Sequence, residues 1–243
     1  MCTLTYIPSK SGDYILTQNR DESPKRSAPG LLRQQLSKHQ LLFPQDSGAG
    51  GTWIAASNQN QVVALLNGAF EKHKHRPPYR RSRGLMVLDV FAFAKATHFF
   101  QQYAFEGMEP FTMIVFENGK LYEFRWDEKD KRIKTLDPGQ AHLWASSTLY
   151  PQLMQDKRQG WFKEWLPQEL TPTMNDVLDF HQNAGEGDPE NDLIMNRKNK
   201  VCTTSITSIE KVNGQVNMQF LDLLQSKTIA KQIHLSNEPL AAH

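Results

Sequence analysis

The stretch MCTLTYIPSKSGDYILTQNRDE (residues 1–22) holds two short runs rich in β-branched and aromatic residues, TLTYI and DYILTQ. Between them stands Lys10-Ser11-Gly12, a turn former, so the segment reads as a β-hairpin. The first run begins at a thiol, Cys2, and the second ends in a polar cluster, Asn19-Arg20-Asp21-Glu22. Similar signals recur outward from this hairpin. TWIAAS and QVVALLN flank Asn58-Gln59-Asn60, while TMIVFENGKLYEF and CTTSITSIEKVNGQVNMQFLDL turn at Asn118-Gly119 and Asn213-Gly214, the strongest short-range hairpin signal.

Residues 23–50 carry Pro24, Pro29, Gly30, Gly48 and Gly50 and read as a long excursion with one short strand at LLF. Helices fill the gaps. Ser82 caps a helix through LMVLDVFAFAKATHFFQQ, which sets Leu85, Leu88, Phe91 and Ala92 on one face. WFKEWL and TMNDVLDFHQN predict two more between 155 and 183, the latter capped by Thr173, and EGDPENDLIMNRKNK reads as a loop. Successive hairpins with helices grouped between them imply a mostly antiparallel α+β fold with helices outside the sheets, in one domain over residues 1–243.

A hydrophobic fraction of 39% and a charged fraction of 22% suit a packed core. A net charge of +2 is too slight to argue for a nucleic-acid partner. Thr3, Thr5, Pro8, Ser9, Lys10 and Asp13 leave no room for the apolar region of a secretory signal. No run approaches the roughly 18 apolar residues of a membrane span; the best, MVLDVFAFA, is broken by Asp89. Cys2 and Cys202 give no disulfide framework, so a reducing cytoplasmic location is the expectation. Oligomeric state is not legible.

Cys2 is the residue that removal of Met1 would leave carrying the free α-amine. The amine titrates at about 7.7–8.0 and the thiol at about 8.5, so nucleophile and base sit in one residue. The alternative is a small residue at a strand start. Asn67 closes the apolar run VVALLN, an odd place for an amide unless it has a partner or makes an Asx turn.

Several ordered segments carry a resemblance: Met1-Cys2-Thr3-Leu4, Asn19 to Glu22, Gly50-Gly51-Thr52-Trp53-Ile54-Ala55, Ala64-Leu65-Leu66-Asn67 and Ser82-Arg83-Gly84-Leu85. Together they resemble the NRDE family (transport and Golgi organisation 2-like), which is similar to N-terminal nucleophile hydrolases and, distantly, to choloylglycine hydrolases. The resemblance implies a four-layer αββα sandwich. It implies Cys2 as nucleophile, Asp21 as the carboxylate that orients the terminal amine, and Asn67 as donor to the oxyanion. Arg20 is added to that catalytic set as an anion binder, a brace for Asp21 or a solvated cation. Ser146, Ser147 and Arg83 are the substrate-binding candidates.

Two departures stand out. Gln18 occupies the place where choloylglycine hydrolases usually carry an arginine, and Ser147 stands where the family often has asparagine. The approach to the last strands, Arg197-Lys198-Asn199-Lys200, offers several cations where the family tends to carry one arginine.

The implied activity is hydrolysis of, or acyl transfer from, a small-molecule linear amide, with no cofactor and no metal. The alternative is a ligand-handling protein on the same scaffold, since eukaryotic NRDE members have been associated with secretory organisation and haem movement. EKHKHRPPYRRSRG, with His73 and His75, would then meet a haem-like anionic ligand; otherwise it steers an anionic substrate, grips a metal, or is a solvated loop. Cys202 reads as a small buried residue.

Overall fold

In a computed structural model, which describes residues 3–9, 12–166 and 172–236, the N-terminal hairpin forms as expected. β1 (Thr3–Pro8) and β2 (Tyr14–Glu22) pair antiparallel, with Thr3 opposite Asn19 and Pro8 opposite Tyr14. Cys2 and the Lys10-Ser11 part of the turn lie outside the described residues.

The chain continues through β3 (Leu31–Leu36), β4 (His39–Pro44), β5 (Ile54–Ser57) and β6 (Gln61–Asn67) to α1 (Arg83–Asp89) and α2 (Ala96–Gln102). Next come β7 (Phe111–Glu117), β8 (Lys120–Trp126), β9 (Lys131–Leu136) and β10 (His142–Ala145), then α3 (Gln152–Trp165) and α4 (Met174–Asn183). The last strands are β11 (Asn196–Arg197), β12 (Val201–Val212), β13 (Gln215–Asp222) and β14 (Lys227–His234). Among the described residues these strands build two seven-stranded sheets. One runs β10-β1-β2-β12-β13-β14 with β11 beside β12; the other runs β3 to β9 in chain order.

Strand alternation stacks the layers. In β6, Val62, Ala64 and Leu66 pack between the sheets against Leu4, Tyr6 and Leu16, while Val63 and Leu65 pack in one cluster with Met86 of α1, Phe91 of the turn that follows it and Phe100 of α2. Both faces are covered, so the strand reads as an unbroken apolar run. On the far side, Ile7 and Ile15 pack under Phe162 of α3 and Val177 and Phe180 of α4. The result is the αββα sandwich. None of the described helices is long and apolar enough to cross a membrane.

The Asn118-Gly119 and Asn213-Gly214 turns form with positive φ at both residues (48° and 79°, 50° and 72°), which matches the twist of the strands they join. The Thr173 cap also forms, as a reciprocal box with Asp176. Three expectations change. The helix from Ser82 breaks after residue 92, because the backbone N–H of Ala96 finds the Glu117 carboxylate on β7 and starts a second helix there. The excursion holds a full hairpin, β3 and β4, in place of one strand at LLF. The loop before Val201 contains the short strand β11.

Asn19, the first residue of the polar cluster, ties the helical layer to the sheet. Its amide nitrogen donates to the carbonyls of His181 (3.1 Å) and Leu193 (2.7 Å), so its Oδ1 must accept from His181 Nδ1 at 2.5 Å. The Thr5 hydroxyl then donates to His181 Nε2 at 2.8 Å, which requires a neutral ring. Burial, reinforced by nearby Arg158, holds the His181 pKa down to about 3. A folded value below the unfolded one means that the unfolded chain takes up the proton first. Stability is therefore full above about pH 6.5 and falls toward pH 3 by about 1.4 kcal/mol per unit. Urea titrations across that window should give this slope, and His181→Asn should flatten it.

Candidate active site

The second half of β2 is polar and almost wholly buried: Thr17, Gln18, Asn19, Arg20 and Asp21 are each at most 3% exposed. The strand runs on through Glu22, so alternation sends successive side chains to opposite faces. Arg20 faces the other sheet. Its Nη2 pairs with Asp46 Oδ2 at 2.5 Å, Nη1 donates to Arg26 O, and the guanidinium lies 4.4 Å over the Trp53 ring. Burial pulls its pKa down and Asp46 works against that. Arg20 therefore does not brace Asp21. Gln18, on the same face, donates to Leu65 O at 2.7 Å.

Asp21 faces the helical layer. Thr203 of β12 donates to Oδ1 at 2.7 Å and Tyr150 donates to Oδ2 at 2.9 Å. Thr3 and the buried Arg158 of α3 are hydrogen-bonded partners beside this carboxylate's strand, and Arg158 also reaches Asn191 O and Asp192 O, both at 2.9 Å. Among the cations before Val201, Arg197 turns inward, donating to Leu149 O at 3.2 Å, whereas Lys198 and Lys200 are exposed. Cys202 is buried as expected, its thiol pKa pushed up by burial and by Asp21.

Asn67 ends β6 at the mouth of a cleft of about 340 Å³ lined by Arg20, Trp53, Asn67, Tyr79, Arg83 and Glu109, among others. Its Oδ1 is buried without a hydrogen-bond partner among the described residues. Its backbone carbonyl accepts from Ser146 Oγ at 2.8 Å, which links the end of β10 in one sheet to β6 in the other. Ser147 donates weakly to Glu71 O, at 3.5 Å. Gly68 takes φ +82°, and a Cβ there would stand 2.3 Å from Ser147 Oγ, so only glycine lets these strand ends approach.

Arg83 opens α1 and points into the cleft, pairing with Glu109 Oε2 at 2.8 Å and donating to Pro110 O at 2.8 Å. Burial lowers its pKa while Glu109 opposes the shift. His73 and His75 reach Glu109 Oε1 at 3.0 and 3.4 Å. Among the described residues no three His, Cys, Asp or Glu side chains are set to hold a metal. The structure thus gathers Arg20, Asn67 and Arg83 on one cleft, puts Ser146 and Ser147 behind Asn67, and turns Asp21 to the opposite face of β2.

A family model for Transport and Golgi organisation 2 matches residues 1–233. The chain belongs to that family. Comparison with curated proteins gives no match. Among solved structures, a Caenorhabditis elegans ortholog of N-acylethanolamine-hydrolyzing acid amidase is similar, with a TM-score of 0.60 and 11% identity over 86% of this chain and 92% of that one. A variant of conjugated bile acid hydrolase from Clostridium perfringens matches with a TM-score of 0.54 and 13% identity over 99% and 94%. At such identities the likeness shows a shared fold and no more.

In this Transport and Golgi organisation 2 member several site residues escape sequence reasoning. Asp46 has a local signal, since Asp-Ser-Gly-Ala is a turn whose Oδ1 caps the N–H groups of Gly48 and Ala49 at 2.9 Å. Its other oxygen, however, binds Arg20 and Arg26 across 26 and 20 residues of chain. Glu109 and Tyr150 lie in loops and have no local signal.

Proposed function

We propose that the chain is an N-terminal cysteine amidohydrolase or acyltransferase acting on a linear amide, with Cys2 as nucleophile once Met1 is removed. The observation that carries this reading is the company kept at the start of β1. A buried carboxylate with two hydroxyl donors stands on β2, the strand that Thr3 pairs with. Arg20 of the same strand lines a cleft with Asn67, whose buried amide oxygen has no hydrogen-bond partner among the described residues. The scaffold is shared with an acid amidase and a bile acid hydrolase, which supports the same chemistry without fixing it.

The terminal amine takes the thiol proton and the thiolate adds to the substrate carbonyl. Asn67 Nδ2 donates to the resulting oxyanion, and the amine returns the proton to the leaving nitrogen. Water, or an acceptor amine, then resolves the thioester. Asp21 orients the amine. Arg20 and Arg83, each committed to a carboxylate, shape the cleft wall, and Ser146 holds the Asn67 backbone in register.

Intact-mass analysis of protein from its own host should show loss of Met1, and p-nitrophenyl acetate should leave one acetyl group on Cys2. Retained Met1 together with no acylation would sink the catalytic reading and leave ligand handling as the role of the cleft.

A further inference from the structure

Tyr150 stands outside every motif read from the sequence, yet it is fully buried and donates to Asp21 Oδ2 at 2.9 Å. Its ring is held by cations. The Arg158 guanidinium lies 3.5 Å from the ring centroid and that of Arg197 lies 5.3 Å away. Both cations are pinned in turn, Arg158 to Thr3 and to the carbonyls of Asn191 and Asp192, Arg197 to the carbonyls of Leu149 and Glu190. The backbone N–H of Tyr150 is fixed as well, donating to Ser146 O at 3.0 Å. A phenol so clamped can present its O–H in one direction, and that direction is the carboxylate.

We infer that Tyr150, with Arg158 and Arg197 stacked on its ring, is a positioning residue that fixes the Asp21 carboxylate and through it the protonation of the chain's leading amine and thiol. The inference rests on the reading of Asp21 as the group that orients that amine. A charged acceptor makes the O–H bond stronger than an ordinary one. With the phenol present, part of the carboxylate charge is spent on Oδ2 and one oxygen is held in place. Without it, more negative charge is felt at the strand end, which disfavours the thiolate.

The test is the pH dependence of Cys2 alkylation by iodoacetamide, a displacement that needs neither the oxyanion donor nor a substrate amide. Tyr150→Phe should raise the alkylation midpoint by about 0.5–1 pH unit, a fraction of the bond lost. Tyr6→Phe, which removes a hydroxyl bond to Pro138 O on the other face of β1, should leave the midpoint in place while lowering the melting temperature. Thr203→Val removes the second donor to Asp21 and should shift the midpoint in the same direction, which serves if Tyr150→Phe folds poorly. Equal midpoints in the parent, Tyr150→Phe and Thr203→Val would overturn the inference. Because alkylation does not depend on catalysis, a parent protein that alkylates normally but takes no acetyl group defeats the proposed function and still decides the role of Tyr150.

Discussion

Asp46→Ala should cost about 3–5 kcal/mol of folding free energy, the penalty for stripping one partner from a buried ion pair. Arg20 sits between the sheets at 2% exposure, and Asp46 is its carboxylate counter-ion. Removing that carboxylate leaves a guanidinium that cannot shed its proton in a place where water cannot solvate it. It also takes away one of the two carboxylates that Arg26 pairs with, leaving it Glu22, and uncaps the Gly48 and Ala49 amides. Asp46→Asn keeps the cap but not the charge and should lose less. Arg20→Met combined with Asp46→Asn should lose less than the two single losses added, because the uncompensated charge is gone. Urea unfolding at an unchanged slope measures all of these. An Asp46→Ala protein within 1 kcal/mol of the parent would mean that the pair does not hold the cleft wall.

Asn67→Ala should slow acetylation of Cys2 by p-nitrophenyl acetate about 10²–10³-fold, the usual worth of one preorganised oxyanion donor. The argument is geometric. The residue ends a strand buried on both sides, Ser146 fixes its carbonyl at 2.8 Å, and its side chain lines the cleft. Little reorganisation is then needed when charge develops on the carbonyl oxygen. Alkylation by iodoacetamide develops no oxyanion and should keep its rate in the same variant. A parallel loss in both reactions would place the effect on the thiol and remove Asn67 from the oxyanion.

The hairpins were readable because their signals are local. An Asn-Gly pair at positive φ and an apolar run on either side determine a turn wherever the rest of the chain goes. The helix from Ser82 stops at residue 92 for the opposite reason. Its apolar spacing continues, but a carboxylate from β7, 21 residues further along, supplies the cap that restarts it at Ala96. The same limit applies to the site. Asn19, Arg20 and Asp21 stand out as polar residues closing an apolar strand, yet three neighbours meet three different surroundings. Asn19 ties down α4, Arg20 pairs with Asp46 between the sheets, and Asp21 accepts from Tyr150 and Thr203.

What the amino-acid order settled alone was the strand periodicity, the turns, the polar close of β2 and the motifs that tie the chain to its family, since each depends on residues within a few positions of one another. Only the folded arrangement decided which face each polar side chain serves, that Asp46 neutralises Arg20 and Glu109 neutralises Arg83, and that Tyr150 and Thr203 reach Asp21. Those contacts join residues up to 182 positions apart, and a buried charge or hydroxyl takes its partner from whichever strand or loop the sandwich brings within 3 Å, a choice no local pattern encodes.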